Sequence, residues 1–188
     1  SGTPLNGDVG TLSLKVTATD SASASVSDTF DLTVANTNDA PTLSTVSTLT
    51  GASEDTGYTI SYADLAGAAN EADVDAGAVI SFRVQAVSSG TLTKGGVTVT
   101  AGVTLLGAGE SLVWTPATNA NGLGLNAFTV VAWDGATASA APVQVKVDVG
   151  AVNTAPTVAH TIADQNASED SAFSFQFAAN TFADVDVG

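Results

Sequence analysis

The sequence has no cysteine, no methionine, a single histidine, and only four basic side chains (Lys15, Arg83, Lys94 and Lys146) against 19 acidic ones. Without cysteine no disulfide can form, so a domain working outside the cell needs another staple, such as bound metal. With His160 alone and no thiol, zinc sites and Cys–His chemistry are excluded. A formal charge of −15 argues against nucleic acid and anionic membrane surfaces as partners, because both are held by Lys and Arg. The same excess repels itself unless cations or spacing relieve it. No apolar run approaches the ~20 residues of a membrane span and no signal peptide opens the chain, so membrane insertion is not expected. The chain opens at "SGTPLNG" without Met, so part of a longer protein is expected, with any export signal outside it. No G-x-S-x-G supports a serine nucleophile, and "KGGV" reads as a hairpin tip instead of a phosphate-binding loop. No enzyme is expected.

What is present is β-forming. Hydrophobic residues make up 44% of the chain, enough for a core, and Val, Ala and Leu interleave with Thr and Ser. Alternation with a period of two recurs: Leu12, Leu14, Val16 and Ala18; Phe30, Leu32 and Val34; Ile80, Phe82, Val84 and Ala86; Phe128, Val130 and Ala132; Val143, Val145, Val147 and Val149. Each run predicts a half-buried strand. The clusters "SASAS", "TKGGV", "GAGES" and "NANGLG" mark turns between them. Residues 62–74, "YADLAGAANEADV", read equally as a helical turn or two or as a long loop.

Phrases also repeat in order. "NDAPT" beginning at Asn38 returns as "NTAPT" at Asn153, 115 residues on, and "ASED" at Ala52 returns at Ala167 with the same spacing. "ADVDAG" at Ala72 returns as "ADVDVG" at Ala183 after 111 residues, and "VTATD" ending at Asp20 returns as "VVAWD" ending at Asp134 after 114. Ordered echoes at one period indicate tandem units. The expected organisation is one whole unit at 38–152, the last strands of a preceding unit at 1–37, and the first strands of a following unit at 153–188. Cut strand pairs are marginal alone. The flanks are therefore expected to be ordered only where they pair with something, one option being head-to-tail self-association in which one molecule's tail completes the next one's head.

The ordered set "SED", "ADVDAG", "VVAWDG" and the linker "NDAP" resembles the cadherin repeat, and more closely the bacterial, dystroglycan-type cadherin-like repeats of very long secreted surface proteins and adhesins. That resemblance implies an all-β fold, a seven-stranded Greek-key β-sandwich of the cadherin/Ig-like kind, with calcium held at the junctions between neighbouring repeats of the chain. Carried over by motif, the first junction would take Asn36, Asn38 and Asp39 from the linker with Asp73, Asp75 and Asp134 from the whole unit. The second would take Glu54, Asn153, Asp184 and Asp186. The family's "DRE"-like acidic motif has no clear match; "NANG" at 119–122 stands near its place. The second linker has Ala151 and Thr154 where the first has Asn36 and Asp39, so weaker or no calcium and a more flexible joint are expected there.

Each motif also has a plainer reading. Calcium takes six to eight oxygens, and Asp73-x-Asp75 can present two on one side of an extended segment, but Asp-x-Asp-x-Gly is also an ordinary polar turn. It is not an EF-hand loop, because Val84 stands where the twelfth-position Glu would be. Glu54 and Glu169 sit in what are otherwise acidic turns before strands. Strand parity puts Val131 and Trp133 outward, where Trp133 is either a sugar-stacking platform or is covered by a neighbouring loop or unit. Trp114 is expected in the core and His160 on a surface strand. The leading expectation is a calcium-binding extension module of an extracellular bacterial surface protein, engaged in adhesion to the same protein on another cell or to a surface glycan. The alternative is a carbohydrate-binding module, since cadherin-like repeats also accompany polysaccharide-active enzymes.

Overall fold

The computed structural model describes residues 2–186; Ser1, Val187 and Gly188, the last two belonging to the second "ADVDVG" phrase, lie outside them. The strands β1 (Gly10–Thr19) and β2 (Ser25–Val34) form a hairpin with all ten residues paired across its length, Leu12 opposite Leu32 and Leu14 opposite Phe30. Its turn is fixed by Asp20, whose Oδ1 accepts the N–H groups of Ala22 and Ala24. The short 3-10 turn Asn6–Asp8 precedes the hairpin, with Asp8 accepting the Leu5 N–H.

The next elements are β3 (Leu49–Ser53), β4 (Tyr58–Ser61), α1 (Tyr62–Ala68), β5 (Ser81–Val87), β6 (Thr91–Lys94), β7 (Val97–Thr98), β8 (Leu105–Leu106), β9 (Ser111–Thr115), β10 (Gly122–Trp133) and β11 (Val143–Gly150). They make two sheets, β3-β11-β10-β5-β8 and β4-β9-β6-β7. β3 runs parallel beside β11, and the other pairings are antiparallel. Alternate residues of both sheets point into one core: Ile60, Leu92, Leu112 and Trp114 from the smaller, and Phe82, Val84, Phe128, Val130, Val145 and Val147 from the larger. This is an Ig-like β-sandwich. Trp114 is wholly buried, as expected, and its Nε1–H donates to the Ser89 carbonyl at 2.8 Å.

Several sequence expectations need amending. Residues 62–68 form a true helix because Ser61 caps it: Ser61 Oγ accepts the Asp64 N–H while the Asp64 carboxylate accepts the Ser61 N–H. The helix buries Leu65 and lays Tyr62 against Phe82, ring centres 5.8 Å apart. Strict alternation also fails next to bulges where β10 pairs with its neighbours, the extra residue lying on β5 in one and on β10 in the other. One falls between Thr129 and Val130 against β5, leaving Ala86 exposed, and another between Asn126 and Phe128 against β11, so Ala127 and Phe128 are both buried. Val131, assigned outward by parity, is buried as well.

Beyond β11 the strands are minimal: β12 (Thr157–Val158) pairs with β13 (Phe182–Ala183). This small ladder copies one at the start of the intact sandwich. Thr42 bridges Ala72 there, with Thr42 Oγ1 donating to the Ala72 carbonyl at 3.2 Å, and Thr157 Oγ1 donates likewise to Ala183 at 3.3 Å. Asp55 and Asp170 both adopt positive φ, 55° and 59°. His160 lies just past β12, exposed, with Nδ1 2.9 Å from the Asn180 carbonyl, so it is a bend residue instead of a strand residue.

Candidate functional site

The segment preceding β3 is held in place before its carboxylates are. The Asn70 side chain accepts the N–H groups of Ser44 and Thr45 and donates to Ser44 Oγ, and the Thr42–Ala72 bridge follows. Together they lay the first linker along residues 70–75. The Asp39 N–H then donates to Asp75 Oδ2 at 2.8 Å, and the Asp75 N–H donates to Asp73 Oδ1 at 2.9 Å. Each of these two carboxylates therefore commits one oxygen to backbone. The other oxygen of each, Asp73 Oδ2 and Asp75 Oδ1, is buried with no hydrogen-bond partner. Unpaired buried carboxylate oxygens are costly unless a cation or donor meets them.

Asn38 joins this group to the end of β10. Its Nδ2 lies 3.0 Å from both the Asp39 carbonyl and Asp134 Oδ2, and 3.1 Å from Thr137 Oγ1. Asp134 is itself a turn-former, accepting the N–H groups of Ala136 and Thr137. The Thr137 and Ala136 amides, then Asn38, hold its carboxyl well below the usual aspartate range. The Asp39 side chain turns toward the 3-10 turn before β1, where Asn6 Nδ2 donates to Oδ2 at 2.8 Å. Asn36 is exposed and enters none of these bonds. So the structure brings Asn38, Asp39, Asp73, Asp75 and Asp134 to one edge of the sandwich. Sequence reasoning passed over Asn6, whose contact is non-local, and Thr137, whose place in "DGAT" after a strand is a turn signal.

Among the described residues, no three Asp, Glu or His side chains gather closely enough to hold a metal by themselves. A cation at this edge therefore needs Asn38 or backbone oxygens beside the carboxylates. The donor set is hard oxygen throughout, which suits calcium and not a thiophilic metal. Glu71, two residues before Asp73, also has a buried unpartnered oxygen, Oε2, and burial pushes its carboxyl above the usual range.

The second junction repeats the backbone clamp. The Thr154 N–H donates to Asp186 Oδ2, the Asp186 N–H to Asp184 Oδ1 at 3.0 Å, and Asn153 Nδ2 reaches the Thr154 carbonyl at 3.4 Å. What Thr154 shares with Asp39 is its amide, so losing that carboxylate leaves the clamp intact. Glu54 is different from the aspartates. It is buried, and both oxygens are taken, one by the Val152 N–H and the other by Asn121 Nδ2 at 2.9 Å. Val152 first and Asn121 second lower its pKa. Asp55 Oδ1 holds the Asn119 N–H at 3.0 Å, and the Glu54 N–H donates to the Gly150 carbonyl at 3.0 Å. The "NANG" loop thus meets Glu54 as a hydrogen-bonding amide.

Trp133 is part-buried at the end of β10, its ring covered on one face by the Arg83 guanidinium, 4.1 Å from Cζ to ring centre. Its strand carbonyl accepts from Ser81 Oγ at 3.2 Å.

Residues 1–35, the hairpin and its approach, match the family model described as "Putative Ig domain". That agrees with the sandwich seen in the intact unit and does not extend to the rest of the chain. No curated protein matches the chain. No helix among the described residues is long and apolar enough to cross a membrane.

Proposed function

We propose that this chain is a section of a calcium-stiffened rod, built from tandem Ig-like sandwiches of the cadherin-like kind, on an extracellular bacterial surface protein that serves adhesion. The observation that carries the reading is the pair of buried, partnerless oxygens on Asp73 and Asp75, set where the linker residues Asn38 and Asp39 cross the edge of the sandwich. Calcium there would neutralise carboxylates in a chain of charge −15 and tie the linker to the unit that follows it. Asp73, Asp75 and Asn38 would supply the ligands, with Asp134 beside them. At the second junction Glu54 already has both oxygens hydrogen-bonded, so that joint is held by Asn121 and Val152 without metal. A ligand that binds only the folded form raises the melting temperature with its concentration. Thermal melting and small-angle scattering in calcium and then in chelator test the reading. Calcium should raise the melting point and narrow the range of interdomain shapes, while identical curves would refute it.

A second reading, a carbohydrate-binding module, is favoured by Trp133, where a part-exposed indole lies against a guanidinium donor on the sheet. Trp133→Ala should then abolish glycan binding, whereas the rod reading predicts little change in function.

A further inference from the structure

Two Asn–Gly steps occur in the sequence, Asn6–Gly7 and Asn121–Gly122. Glycine after asparagine leaves the next backbone nitrogen unhindered, so that nitrogen can reach the asparagine carboxamide. The fold sends both side-chain amides to carboxylates at the linkers, Asn6 Nδ2 to Asp39 Oδ2 at 2.8 Å and Asn121 Nδ2 to Glu54 Oε2 at 2.9 Å. Of the two acceptors only Glu54 is buried, and its other oxygen holds the Val152 N–H in the second linker. Asn121 and Gly122 are themselves exposed to water. Gly122 has a φ of +125°, and the β10–β11 register shifts between it and Leu125. The backbone therefore calls for glycine here, and the reactive step is retained.

We propose that Asn121 is a self-modification site gated by Glu54: latched, it is protected; released, it deamidates to a carboxylate that keeps the second linker from latching again. In the reaction the Gly122 nitrogen, giving its proton to water, bonds to Asn121 Cγ; the Cγ–Nδ2 bond breaks and ammonia leaves. Water then opens the succinimide to aspartate or isoaspartate, so the sum is amide plus water to acid plus ammonia. Two features of the latch oppose this. The bond to Glu54 fixes the rotation of the carboxamide, and an ionised carboxylate on Nδ2 offers the departing amine no proton. Once formed, the new carboxylate faces Glu54 across the former hydrogen bond, where two like charges disfavour each other. Asp55 and Asp148 hold the Asn119 and Gly124 N–H groups nearby and make the loop more acidic still. Lys146, the one basic residue of β11, pairs opposite Asn126 instead. Because ammonia is lost the change is not reversed, and it records opening of the joint. The inference rests on the Glu54 hydrogen bonds alone and not on calcium at either junction.

The parent, Glu54→Ala and Ser61→Ala chains are incubated folded at mildly alkaline pH in chelator, then digested with trypsin. Cleavage at the four basic residues puts Asn121 in the peptide 95–146 with Asn119 and Asn126 as internal comparisons, and fragmentation of that peptide locates the mass gain of amide-to-acid conversion. Conversion at Asn121 should be several-fold faster in Glu54→Ala than in the parent, with Asn119 and Asn126 unchanged. Ser61→Ala, which weakens the α1 cap and leaves the latch intact, should convert at the parent's rate. Asn121→Asp, the product made directly, should melt below the parent in chelator. Equal rates in the parent and Glu54→Ala, equal acceleration by Ser61→Ala, or an Asn121→Asp chain that melts with the parent would overturn the proposal.

Discussion

Glu54 shows how one side chain can hold a linker through hydrogen bonds. Its carboxylate is buried, ionised and shared between the Val152 amide and Asn121, and these donors lower its pKa. A carboxylate with a folded pKa below its unfolded value contributes stability that is complete above the unfolded value, about 4.3 for Glu. That contribution disappears as pH falls through the lower folded value. Glu54→Ala should therefore melt lower than the parent at pH 7, and the gap should narrow as pH falls below about 4.3 and shrink further through the lower folded value. Parallel melting curves across that range would show that the latch does not exist. Asp134 should behave similarly, its contribution persisting to lower pH because its carboxyl lies further below the ordinary range. The phrase "ASED" marked Glu54 in the sequence, and the place of "NANG" near a missing acidic motif was visible too. What could not be read was the bond between them, because Asn121 and Glu54 are 67 residues apart. Sequence likewise singled out Asp39 by its carboxylate, when the group that recurs at Thr154 is the backbone N–H.

The elements were legible wherever alternation was strict. β9 and β11 follow their parity throughout, and the turn joining β6 to β7 was evident from "KGG", since Gly95 and Gly96 take the positive φ, 57° and 80°, that a two-residue hairpin demands. β10 was only partly legible because bulges arise from pairing with two neighbours and leave no mark in one strand's own pattern. The helix α1 was ambiguous because its apolar stripe is short; the capping pair Ser61 and Asp64 was the signal to weigh. Ser61→Ala should cost about 0.5–2 kcal/mol by chemical denaturation. Gly90 is less tolerant. Its φ is +66°, and a Cβ there would come 2.1 Å from the Thr115 carbonyl oxygen, on the turn whose neighbour Ser89 holds Trp114. Gly90→Ala should destabilise by at least about 1–3 kcal/mol, the usual range for backbone strain, and should perturb the Trp114 environment in near-ultraviolet dichroism. An unchanged spectrum and midpoint would contradict that packing.

At the scale of the whole molecule, the ordered phrases of the sequence have structural counterparts: the Thr42 and Thr157 bridges, the two linker clamps, and the positive φ of Asp55 and Asp170. The hairpin β1–β2 matches an Ig-domain family over residues 1–35, and the intact unit is an Ig-like sandwich. The difference between the two junctions is chemical. The first leaves Asp73 and Asp75 each with a buried oxygen lacking a partner, whereas Glu54 at the second is fully hydrogen-bonded. That difference was not legible in the changed linker letters, because which oxygens lack partners depends on where the folded backbone places its amides. Calorimetric titration with calcium tests the central claim most directly, comparing the parent chain with Asp73→Asn/Asp75→Asn and with Asp184→Asn/Asp186→Asn. The account predicts saturable heat in the parent, its loss in the first variant and near-parent binding in the second. No saturable binding by the parent, or loss of equal size in both variants, would contradict it.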